Sequence, residues 1–123
     1  MTVVAEVTKL LNNWEKLNSF GIKRVYSYYI PQSVPVAIGN NEIYVSDVSS
    51  EPAEYGSNEF TTRNNVIQLN IMYGSQNHVS QDEVENSISS FLLQKNWREL
   101  PSGGRYPDPE TGQITKILQF KKG

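Results

Sequence analysis

The sequence predicts a single α+β domain with a mostly antiparallel sheet of about five strands and two helices packed on one of its faces. Three observations lead there. Residues 2–18 and 81–95 carry apolar side chains at helical spacing. The segments between and after them are rich in aromatic and β-branched residues, one with clear period-two alternation. The elements run α-β-β-β-α-β-β, without the strand–helix–strand alternation typical of parallel sheets.

The first helix rests on Val3, Val7, Leu10, Trp14 and Leu17, which share one face, with Val4 and Leu11 widening the stripe. Thr2 suits its N-cap and Gly21 its exit turn. Residues 23–30 then read as a strand stopped by Pro31 and Pro35, with Tyr26 and Tyr28 on one face and Val25 and Tyr29 on the other. Asn40 and Asn41 supply turn chemistry before a second strand at residues 42–48. Residues 61–73 hold the clearest strand, where Ile67, Leu69, Ile71 and Tyr73 alternate with Gln68, Asn70 and Met72. One of its faces is expected in the core, the other wet or against a partner.

Between the second and third strands lies a loop at residues 49–60, long for a domain of this size and expected to be mobile. The second helix opens on the capping pair Ser80 and Glu83, and Asp82, Glu83 and Glu85 favour its positive dipole end. Val84, Ile88, Phe91 and Leu92 form its core stripe, and Asn96 suits a left-handed exit. A terminal hairpin at residues 97–121 completes the chain, its two strands separated by the turn-rich residues 102–112.

Length and composition narrow the function. One domain, residues 1–123, is long enough to bury a core without staples. Cysteine is absent, which excludes disulfides and thiolate metal sites within these residues. The net charge of -2 offers no basic footprint for strong nucleic-acid binding. Residues 1–6 lack the basic region of a signal peptide, and no stretch approaches the ~20 apolar residues of a membrane span.

Candidate chemistry is sparse. The single histidine, His78, reads as a solvated loop residue, with no nucleophile elbow in sequence to pair with it. Asp108 and Glu110 sit in a surface turn without an apolar pocket to raise either pKa. Gly103 and Gly104 are not followed by the lysine and helix of a phosphate loop. The expectation is a protein with no catalytic residues, no cofactor and no metal.

Seven tyrosines stand out instead. Tyrosine is enriched at interfaces, so Tyr26, Tyr28 and Tyr44 on strands, with Tyr55 and Phe60 in the long loop, are the candidate contact residues.

The pattern of strands and turns across the chain resembles the tail terminator, or tail completion, fold of long-tailed bacteriophages. It is also similar to a small family of phage and prophage proteins from Gram-positive hosts named only by a domain of unknown function. The residues that carry the resemblance run from Ile43 to Pro52, through Tyr55, Gly56 and Ser57, along Val66 to Tyr73, and from Asp108 to Phe120. The resemblance implies a virion protein assembled in the host cytoplasm. It implies a homo-oligomeric ring, usually a hexamer, that caps the last ring of the tail tube protein. The other side of the ring meets a head-completion or connector protein, and genome DNA passes through the lumen without sequence-specific contact. No membrane partner is implied. A closed ring needs two different patches on each subunit, and residues 49–60 are assigned to an axial contact with tube or connector. The alternatives are a head-completion or stopper protein, or another minor tail protein of the head-tail interface, and a small cytoplasmic ligand-binding domain or enzyme.

Overall fold

The computed structural model describes residues 2–28, 41–48, 66–74, 79–109 and 113–122. It is an α+β fold: a six-stranded, mostly antiparallel sheet with two main helices.

Helix α1 spans Val3–Asn12, and the Thr2 hydroxyl accepts a bond from the Ala5 N–H at 3.1 Å. Its buried stripe is Val4, Val7 and Leu11, while Val3, Leu10 and Trp14 pack at the rim. The helix predicted to reach residue 18 stops at Asn12, because that side chain is drawn to the neighbouring strand. Its carboxamide bonds the Val25 N–H at 2.8 Å and the Val25 carbonyl at 3.0 Å. A 3-10 helix, Glu15–Phe20, follows. Its tighter turn sends both Leu17 and Phe20 inward, three residues apart. Gly21, at φ 74°, makes the exit turn that suits a residue without Cβ.

Strands β1 (Ile22–Ser27) and β2 (Asn41–Asp47) pair in parallel, with Val25 opposite Ile43 and Tyr26 opposite Tyr44. Among the described pairs of this mostly antiparallel sheet it is the one parallel step. Residue composition carries no strand direction, and residues 28–40 supply about the dozen positions that a parallel return requires. Asn41 belongs to β2 and not to a turn. It is buried, donating to the Phe20 carbonyl at 2.8 Å and accepting from the Gly74 N–H at 2.9 Å.

Strand β3 (Val66–Tyr73) pairs antiparallel with β2 and, on its other side, with β6 (Ile114–Lys122). Between them in sequence lie α2 (Gln81–Gln94), β4 (Trp97–Leu100) and the two-residue β5 (Tyr106–Pro107). Ser80 caps α2 by accepting from the Glu83 N–H at 3.3 Å, and Asn96 follows the helix at φ 70°. The sheet order is β1-β2-β3-β6-β4, with β5 also on β6. β5 is the strand beyond the five expected. It sits in the stretch read as turn, where Pro107 is tolerated because the strand is at the sheet edge.

Pairing opposite residues sorts the sheet into two faces. Ile43, Val45, Ile67, Leu69, Ile71, Leu118 and Phe120 share one face and meet Val84, Ile88 and Leu92 of α2 in the same core as α1. Polar ties join helices and sheet on that side: Thr8 with Ser27 at 3.0 Å, Glu6 with Lys122 at 3.0 Å, and Ser89 with Glu99. Trp14 and Phe91 stack 4.4 Å apart and couple the start of the 3-10 helix to α2.

Candidate functional site

The face of the sheet away from the helices is built by strand alternation. Each core residue on β2, β3 and β6 leaves its two chain neighbours pointing to the other side. Four rows result. Tyr26, Tyr44, Asn70 and Ile117 form one; Glu42, Met72, Thr115 and Tyr106 the next. On the other side of the tyrosine row lie Ser46, Gln68, Gln119 and Leu100, then Val66, Lys121 and Arg98.

The centre of this surface is an amide network. Gln119 donates to Gln68 at 3.3 Å, Gln68 to Asn70 at 3.1 Å, and Asn70 to the Tyr44 carbonyl and the Ser46 hydroxyl at 3.4 Å each. Such a ladder fixes side chains across three strands and satisfies Asn70, which is buried. Tyr26, Tyr44, Met72, Ile117 and Leu100 surround it, each partly exposed. The Arg24 guanidinium lies 5.7 Å from the centre of the Tyr26 ring. Burial pushes the Tyr44 hydroxyl pKa up, and the nearby Tyr106 and Asp108 push it further. Tyr44 therefore stays a neutral hydrogen-bonding group.

Of the residues singled out in the sequence, Tyr26 and Tyr44 meet side by side. Tyr28 does not share their strand: β1 ends at Ser27, and Tyr28 turns away at φ 71°, 45% exposed. Its N–H still reaches the Val45 carbonyl at 2.6 Å, and the left-handed bend ends the alternation there. Tyr55, Phe60, His78 and Glu110 lie outside the described residues. The amide network was missed in the sequence, although its signal was present in the polar half of the alternation in β3.

A second polar cluster lies between α2 and residue 105. Arg105 Nε bonds Glu85 at 2.8 Å and its Nη2 bonds Asp82 at 2.5 Å, while the Tyr73 hydroxyl donates to Glu85 at 2.6 Å. Burial, then the neighbouring Glu85, drives the Tyr73 pKa well above its ordinary value. That hydroxyl keeps its proton, and the cluster acts as a brace holding residue 105 against the helix. On the helix side, shallow grooves of about 360 and 510 Å³ flank the Trp14–Phe91 stack, lined mostly by polar or charged side chains such as Lys16, Asn86, Gln94 and Lys95. Among the described residues no group of three or more histidines and carboxylates is placed to hold a metal ion, and no helix is long and apolar enough to cross a membrane.

No curated protein and no solved structure matches this chain. One family does, over residues 2–123: the chain belongs to the family described as protein of unknown function, DUF806.

Proposed function

We propose that the protein is a ring-forming structural subunit of a long-tailed phage that caps the tail tube, ends its polymerisation and presents a surface for head attachment. In this reading it carries out no reaction. Its partners are copies of itself, the tail tube protein and a head-completion or connector protein, with genome DNA passing through the lumen. The ring is taken as a hexamer by the resemblance alone.

The observation that carries the reading is the sheet face that neither described helix covers. It combines adjacent tyrosines, a pre-ordered amide network and partly exposed apolar residues over several strands. Aromatic and amide side chains with restricted freedom are suited to protein contact, because little further ordering is needed on docking. The helical side of the domain differs entirely from this face. One subunit therefore carries two unlike surfaces, as a head-to-tail ring requires. Tyr55 and Phe60 are assigned to the axial contact on the sequence alone.

Deleting the gene and imaging the tails by negative stain tests the proposal. Abnormally long tails are expected. Tails of normal length beside unattached heads would move the protein to the head-completion position, and normal virions would end the proposal.

A further inference from the structure

Helix α2 turns its core stripe, Val84, Ile88 and Leu92, into the domain. Another side of the helix carries Glu83, Ser87, Ser90 and Gln94, spaced 4, 3 and 4 apart and so aligned in one seam along its length. Glu83, Ser90 and Gln94 are exposed, and Ser87 is partly so. Apolar side chains flank the seam: on one side the half-buried Phe91, stacked on Trp14, and on the other Leu93, which is 62% exposed. Ser87, Ser90 and Gln94 also form one wall of the groove of about 360 Å³ whose other wall is Trp14 and Lys16.

The two ends of the seam differ in charge. Asp82 and Glu83, both exposed, lie in the first turn of the helix. At the other end, about 18 Å along the axis, Lys95 sits over the Phe91 ring and Lys16 over the Phe20 ring. The groove of about 510 Å³ beside them holds both lysines and a single carboxylate, Glu15. A surface acidic at one end, basic at the other and lined by small side chains between them matches a copy of itself turned end for end. The antiparallel register that sets Ser87 against Ser90 of the second copy sets Glu83 against Gln94, beside Lys95, and does so twice by symmetry.

We propose that helix α2 is the contact of a homodimer, packed antiparallel on α2 of a second copy of this chain. The serines let the two helices approach closely, and Phe91 and Leu93 supply an apolar rim. Opposed helix dipoles and the two Glu83–Lys95 pairs set the direction. Such a contact closes at two copies and cannot propagate a ring. It describes the subunit before assembly. It uses no residue of the Tyr26–Tyr44 face and does not depend on the ring reading.

Sedimentation velocity of the purified full-length protein over a concentration series tests the contact, with circular dichroism to verify the folding of each variant. A monomer–dimer equilibrium is expected, weakened by salt. Glu83→Lys and Lys95→Glu should each raise the dimer Kd about tenfold, because each reversal acts twice by symmetry. Combining the two changes in one chain, or mixing the two variants, should restore the dimer, since either way each lysine again meets a glutamate. A wild-type protein that stays monomeric up to its solubility limit overturns the inference. So does a dimer indifferent to both reversals, or one that neither combination restores. A larger ring that forms in solution and survives both reversals also overturns this contact, and leaves the ring reading standing.

Discussion

At the scale of single residues, polar side chains hold together what the apolar pattern only roughly aligns. Asn12 ends a helix and borders a strand, and Asn41 ties the 3-10 helix, β2 and residue 74 together. Tyr73 joins the last position of β3 to Glu85 of α2. Its raised pKa has a consequence for stability. An unfolded tyrosine ionises near its ordinary value of 10.0, whereas Tyr73 holds its proton in the folded chain. The contribution is fully present below that pH and declines as the unfolded chain begins to ionise. Stability should therefore fall as pH rises above about 10. Tyr73→Phe should lose about 1 kcal/mol at neutral pH and show a shallower decline on the alkaline side. Urea midpoints at neutral and alkaline pH measure both effects. An unchanged alkaline slope would remove the role assigned to this hydroxyl.

At the scale of elements, the helices differ in how their apolar residues are spent. Ile88 of α2 is completely buried, whereas Leu10 of α1 lies at the rim of the core. From the sequence both read as core positions. Ile88→Asp should cost upwards of about 4 kcal/mol, since a buried charge finds no partner, and leave much of the protein unfolded. Leu10→Asp should cost nearer 1 kcal/mol, because the carboxylate can turn to water. Thermal melts of the two variants check the contrast, and equal losses would contradict the rim placement. The brace at Arg105 is an element-scale feature of the same kind. Residues 101–105 leave the sheet between β4 and β5, and Arg105 and Lys116, the latter through the Gly103 carbonyl, hold them down.

At the scale of the whole molecule, the two sides of the sheet differ in what they present. The helical side contains the core that makes the domain fold. The other side carries the amide network and, beside it, the partly exposed Tyr26 and Tyr44, whose truncation should barely affect the monomer. Replacing Tyr26 and Tyr44 with serine is expected to leave the melting temperature within a few degrees of wild type. The same variant should fail to shorten tails when supplied to the deletion strain. Normal tails from a folded double variant would show that this face is not a contact surface.

The sequence by itself determined the α+β class, the places of both helices, the strand at β3 and the capping by Thr2 and Ser80, because these follow from local periodicity and hydrogen bonding along the chain. The tertiary structure alone decided the parallel pairing of β1 with β2, the end of α1 at Asn12, the left-handed turn at Tyr28 and the meeting of Tyr26 with Tyr44. Each depends on a partner more than ten residues away. Apolar spacing specifies which face of an element is buried, but not which neighbour it lies against or in which direction.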